Sequence, residues 1–295
     1  MAVLVRKIAV VGVGLIGGSV ALACRRAGVC REVVGYDRSR AALATAQRLG
    51  VIHRAHADLA EAVAGADLVV LATPVGTFET LARRMASRLS PMAIVTDVGS
   101  VKGALVRRLE RIIGRGGRAG MRFVGGHPIA GRERSGVEAA EPGLFRGARC
   151  ILTPTPSTDL QALRLVSRLW RRLGAEAVRM EPMRHDRVLA TVSHLPHLAA
   201  YSLVRTAMGQ QNGALLAFSA GGFGDFTRVA ASSPEMWRDI CLGNRQNIVG
   251  AVKAYERQLA HLKRMVTKAD GRALYRLFRE ARAVKEHVPV MEHVR

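Results

Sequence analysis

Short runs of β-branched and apolar residues alternate with amphipathic stretches through the first half of the chain: Ile8 to Val11, Val33 to Tyr36, Leu68 to Ala72, Ala93 to Thr96, and Phe123 to Val124. Runs this short, bounded by glycine or polar residues, suit strands covered on both faces, and the stretches between them suit the covering helices. The rhythm predicts βαβ units and a mostly parallel sheet. Two further strands, Ala148 to Leu152 and Glu176 to Arg179, are expected to flank a helix over Leu160 to Leu173. After about Met183 the alternation stops. Helices are predicted over Arg184 to Met208, Pro234 to Lys268 and Arg272 to Glu286, with Ser233 and Asp270 as N-cap candidates. The pattern divides the chain into an α/β domain over 1–182 and an all-helical domain over 183–295. Helices this long cannot all bury their apolar faces in so short a segment, which points to packing against a second chain.

The first strand carries the first chemistry. Ile8-Ala9-Val10-Val11 runs into Gly12-Val13-Gly14-Leu15-Ile16-Gly17, and a helical stretch follows to Ala27. This is the G-x-G-x-x-G turn in its strand-to-helix setting. Gly12 permits the tight turn, Gly14 lets the backbone approach a pyrophosphate, Gly17 allows close helix and strand packing, and Leu15 and Ile16 open the helix whose amino terminus faces the phosphates. Asp37 closes the second strand, 20 residues beyond Gly17, where a carboxylate can accept both ribose hydroxyls of an adenosine. The set predicts a Rossmann-type domain that binds NAD. A 2′-phosphate would meet the charge of Asp37, so NADP is disfavoured, although Arg38 could pair with such a phosphate or simply lie on the surface. Thr73-Pro74 follows a predicted strand, at the sheet end where ligands of open α/β folds bind.

Val124-Gly125-Gly126-His127-Pro128 places a histidine at another strand end. A neutral imidazole is suited to taking a proton from an alcohol as hydride leaves the same carbon, and a structural loop histidine is the competing reading. Ser100 and Lys102 lie in the polar loop Asp97-Val98-Gly99-Ser100-Val101-Lys102. Lys102 is either a phosphate or substrate contact or a surface residue at a helix start. His194 and His197 are three apart on a predicted helix that Pro196 is expected to kink, a spacing that would permit a metal site, but no third ligand is apparent and no metal is expected.

Composition adds one oddity. The formal net charge is +22, yet only six of the 45 basic residues are lysine and no basic block occurs. With no accompanying nucleic-acid motif this reads as a solvated arginine-rich surface rather than a nucleic-acid interface, and its field would draw an anionic substrate. The four scattered cysteines form no C-x-x-C pair. No apolar run reaches bilayer-spanning length and no signal pattern opens the chain, so a cytoplasmic protein without a membrane partner is expected.

Five blocks in order, GVGLIGGS at 12–19, TDVGSVKG at 96–103, GGHPIAG at 125–131, SHLPH at 193–197 and DFTRVAASSPEMWRDI at 225–240, resemble the prephenate dehydrogenase family, which also includes arogenate and cyclohexadienyl dehydrogenases. The resemblance covers nearly the whole chain. It implies NAD-dependent oxidative decarboxylation of prephenate to 4-hydroxyphenylpyruvate, with His127 as base, Ser100 aligning the C4 hydroxyl, Arg228 anchoring a substrate carboxylate, Asp225 orienting that arginine, and His194 and His197 in the substrate pocket. For His197 a core or helix-capping role stays open. It also implies a homodimer through the helical domain. Arg132 stands where the family often has a small hydroxyl residue; its charge would disfavour the ammonium group of arogenate unless the adjacent Glu133 pairs with it. A relative acting on arogenate or 4-amino-4-deoxyprephenate, another hydroxyacid dehydrogenase, and a non-catalytic NAD-binding regulator are the competing functions.

Overall fold

A computed structural model describes residues 3–115, 122–131, 134–210 and 216–287. Its core is one eight-stranded sheet: β1 (Val5–Val11), β2 (Cys30–Tyr36), β3 (Arg54–His56), β4 (Leu68–Leu71), β5 (Ile94–Asp97), β6 (Phe123–Pro128), β7 (Arg149–Thr153) and β8 (Glu176–Arg179), in the order β3-β2-β1-β4-β5-β6-β7-β8. All neighbours are parallel except β6 and β7, which run antiparallel. The reversal between β1 and β4 creates the crevice in which such sheets bind nucleotides. Ile8, Val10, Leu68 and Val70 pack on one face, and Ala9, Val11, Val69 and Leu71 on the other. Burial on both faces is why these strands read as continuous apolar runs.

Helices α1 (Leu15–Arg26), α2 (Arg40–Arg48), α3 (Leu59–Val63), α4 (Phe78–Met85), α5 (Gly103–Arg115) and α6 (Leu160–Arg172) cover the sheet. The short edge strand β3 was not expected, because its three residues, Arg54 to His56, carry no apolar run. It pairs Val34 with Arg54 and Tyr36 with His56, and the ion pair of Arg54 with Glu32 and the bond from Val33 N to His53 Nδ1 help to hold it.

Beyond β8 the chain is helical: α7 (Pro182–Leu189), a π-turn over Ala190–His194, α8 (Leu195–Gly209), α9 (Gly221–Thr227), α10 (Pro234–Gly243), α11 (Arg245–Thr267) and α12 (Gly271–His287). Two expectations need correction. The helix predicted over Arg184 to Met208 is interrupted by the π-turn just before Pro196, whose missing N–H and ring bulk disturb the preceding turn. The helix predicted over Pro234 to Lys268 breaks at Asn244, where Gly243-Asn244 is a stop signal that the apolar period overrode. Helix α9 was also unforeseen, since Gly221-Gly222-Phe223-Gly224 has poor helix propensity. Ser233 caps α10 by accepting from Met236 N, and Asp270 accepts from Ala273 N. Among the described residues no helix is long and apolar enough to cross a membrane.

A small apolar cluster joins the two parts: Val101, from the loop after β5, packs with Ala190, Trp237, Ile240, Ile248 and Ala251. Leu259 and Val266 on α11 and Tyr275, Phe278 and Val284 on α12 remain exposed, and α12 buries no residue.

Candidate active site

The glycine turn is built as its spacing requires. Gly12 has φ +101°, and a Cβ there would meet the backbone of Ala72 and Thr73 at 2.7 Å. A Cβ on Gly17 would overlap the Gly12 carbonyl, so α1 can only cross β1 this closely without one. At Gly14 a Cβ would meet nothing within 4 Å. Gly14 is also the N-cap of α1, supplies no side-chain cap, and is followed by no acidic residue in the first turn. The first N–H groups of α1, at Leu15 and Ile16, thus have no side-chain cap, and the space beside Gly14 is open, the provision a pyrophosphate needs. Asp37 follows β2 directly. One carboxylate oxygen accepts from Val13 N at 2.9 Å and the other from Ser39 N at 2.9 Å, so the side chain is fixed beside the glycine turn. Thr73 and Pro74 are half-buried after β4. The Thr73 and Thr77 hydroxyls lie 2.7 Å apart, and Thr77 also donates to the Pro74 carbonyl. These groups suit NAD.

The second half of the site hangs on Asp97, the last residue of β5. One of its oxygens accepts from Gly126 N at 3.0 Å, the other from Gly99 N at 2.9 Å and from Lys102 Nζ at 2.5 Å. Lys102 also donates to the carbonyls of Gly99 (2.6 Å) and Val101 (3.2 Å). Three donors are thereby spent, and the side chain is 1% exposed. Neither sequence alternative for Lys102 holds: it is not on the surface, and it has no N–H left for a phosphate. It clamps the loop that carries Ser100, which is half-buried.

His127 lies near the end of β6 and keeps 8% of its surface exposed. Its Nδ1 is 2.9 Å from Nε2 of His185, and Nδ1 of His185 is 2.8 Å from an oxygen of Asp186. The tautomers follow from the carboxylate, which can only accept. His185 donates from Nδ1 to Asp186, leaving a lone pair on Nε2; His127 therefore donates from Nδ1, and its own Nε2 carries the lone pair. Burial, reinforced by the nearby His185, Lys102 and His194, pushes the His127 pKa well below its ordinary value. His185 is lowered too, mainly by burial, with Asp186 opposing. The result is a neutral imidazole of fixed orientation. Asp186 accepts Lys102 N at 2.8 Å as well, across the domain boundary.

Asn244, at the break between α10 and α11, donates to the Asp186 carbonyl at 2.7 Å and lies 3.2 Å from Nδ1 of His194. That contact puts the His194 proton on Nε2, which is buried without a partner among the described residues. Burial lowers the pKa of His194 to about 4. His197 bonds the Ser193 carbonyl through Nδ1 at 2.9 Å and stacks on Trp237 at 4.0 Å between ring centroids; burial lowers its pKa as well.

Arg228 opens the turn after α9, and it and Asp225 are exposed. Arg38 reaches across to Glu235 on α10 at 3.5 Å. Arg132 and Glu133 lie outside the described residues. His185, Asp186, Asn244 and Trp237 were missed as functional candidates. A signal existed for the first two: they fall three and four residues before Leu189 on the stripe α7 buries, where a polar pair needs partners.

Comparison with known proteins gives the family. Residues 20–179 match the family model for the prephenate dehydrogenase nucleotide-binding domain, and 181–280 the model for the prephenate dehydrogenase dimerization domain. The chain is 37% identical over 284 residues to a prephenate dehydrogenase of Bacillus subtilis, covering 95% of this chain and 76% of that protein. It is 34% identical to a cyclohexadienyl dehydrogenase of Zymomonas mobilis, over 95% of each. The crystal structure of prephenate dehydrogenase from Aquifex aeolicus in complex with hydroxyphenyl propionate and NAD+ superposes with a TM-score of 0.89 at 40% identity, over 96% of this chain and 98% of that one. With a mostly parallel nucleotide-binding sheet, a helical second part and a match to both family models, the chain belongs to the prephenate dehydrogenase family.

Proposed function

We propose that this chain oxidises and decarboxylates prephenate, with His127 as the general base. The observation that carries the reading is the His127–His185–Asp186 series, which leaves the lone pair on His127 Nε2. Bound along the glycine turn and Asp37, NAD+ supplies the hydride acceptor. His127 Nε2 takes the proton of the C4 hydroxyl as hydride leaves C4. The C4 oxygen becomes a carbonyl; as the ring carboxylate leaves as carbon dioxide, its bonding pair passes through the ring to that oxygen, which takes back the proton from His127 as the ring becomes aromatic. His185 and Asp186 stabilise the proton that His127 receives.

Ser100 is assigned to aligning the hydroxyl, as its loop is clamped by Lys102. Arg228 is assigned to a substrate carboxylate, for which a permanently charged planar fork is suited, and Asp225 to orienting it. The buried Nε2–H of His194 is a further donor for that anion, with His197 and Trp237 as the apolar wall. Arg132 and Glu133 are proposed to read the side chain, the arginine favouring the keto acid of prephenate over the ammonium group of arogenate. The domain division is proposed at 182/183, the partner as a second copy of this chain through the helical domain, and the location as the cytoplasm. NADH formation with prephenate and with arogenate tests the reading: turnover of prephenate is expected to dominate, and a clear arogenate preference would sink the substrate assignment.

A further inference from the structure

We propose that Glu235 sets the choice between NAD and NADP, reaching from the helical domain to the adenosine end of the cofactor site. The inference rests on the NAD site described above. A 2′-phosphate would enter beside Asp37, whose carboxylate is pinned by Val13 N and Ser39 N and cannot turn away. The cation nearest in sequence, Arg38, is not directed there. Its guanidinium faces the Glu235 carboxylate at 3.5 Å. The hydroxyl oxygen of Ser39 caps α2 by accepting from Ala42 N at 3.1 Å, so it is held at the helix start and carries no charge to offset that of a phosphate. On α10, Arg238 is held by Asp239 at 2.7 Å and 2.9 Å, while Asp239 also accepts Gly76 N at 3.2 Å. That last bond fixes α10 against the loop after β4, so Glu235 is presented to Arg38 by a docked helix. Arg40, the first residue of α2, has no carboxylate partner among the described residues.

Asp37 thus guards the ribose, and Glu235 pairs with the arginine that follows it and would otherwise be free to meet a 2′-phosphate. Removing the charge of Glu235 acts twice in one direction, relieving repulsion and freeing Arg38. Because Arg38 is largely exposed, the pair is screened, and the effect is of the size expected for a surface ion pair.

The experiment is a fluorescence titration of NADH and NADPH into the wild-type protein, Glu235→Gln, and Glu235→Gln combined with Arg38→Ala. Glu235→Gln is expected to tighten NADPH relative to NADH by about threefold to tenfold. The gain should shrink as salt is raised and vanish in the double variant. An unchanged ratio of the two dissociation constants, or equal weakening of both cofactors, would show that Glu235 merely ties the domains together and would overturn the inference. Wild-type protein that binds NADH but shows an unchanged ratio in the variants overturns the inference alone. Wild-type protein that binds neither cofactor overturns the site on which it rests.

Discussion

His127 is defined by what it touches. If its Nε2 is the base, His127→Ala should lower kcat by about 10² to 10⁴ with NADH affinity nearly unchanged; a variant that turns over at the wild-type rate removes the assignment. Asp186→Asn keeps the shape but weakens the support for a proton on the imidazole pair. It should lower kcat and move the acid limb of kcat/KM to lower pH, read from a pH profile of the variant beside the wild type. The buried pair makes a separate prediction. Lys102→Met leaves Asp97 charged and 1% exposed, which should cost about 3 to 5 kcal/mol of stability, measurable by denaturant unfolding. At this scale the sequence was informative where chemistry has a spacing, as in the glycine turn with Asp37, or a recognisable block, as in GGHP. It misread Lys102 and passed over His185, Asp186 and Asn244 because their meaning depends on partners far away in the chain. Lys102 and Asp186 are 84 residues apart.

Elements were legible to the extent that their burial was one-dimensional. The β1, β4 and β5 runs are apolar because both faces are covered, and β8 falls over Glu176–Arg179 as the pattern predicts. Proline marked one interruption, the π-turn before Pro196, whereas the break at Asn244 lies inside an otherwise continuous helical period and was not located. Both carry site residues, which is where local regularity is expected to give way. The crossing of α1 over β1 depends on the bare Cα at Gly17. Gly17→Ala would drive a methyl into the Gly12 carbonyl and toward Ala72, so loss of NADH binding together with a lower thermal midpoint is expected. A variant with wild-type affinity and midpoint would contradict the close approach.

At the scale of the molecule, neutral buried histidines couple folding to pH. His127, His185 and His194 all have folded-state pKa values below the ordinary 6.5, His194 at about 4. The unfolded chain therefore takes up these protons first. The stability they contribute is fully present above about pH 6.5 and is lost as pH falls toward and through the folded-state values, by up to about 1.4 kcal/mol per pH unit for each histidine. A thermal midpoint that stays flat from about pH 7 to about pH 4.5 would contradict the buried neutral state. The exposed faces of α11 and α12 belong to the same scale: the excess of apolar helix surface was readable from the sequence, but the side a second chain would cover was not, since nothing in one chain's periodicity marks its partner.

One carboxylate joins these scales. Asp186 receives the Lys102 N–H from the nucleotide-binding domain while it orients His185, and through it His127. Contact between the two domains and the orientation of the imidazole pair therefore rest on one side chain, and a substitution that removes the Asp186 carboxylate loosens both together.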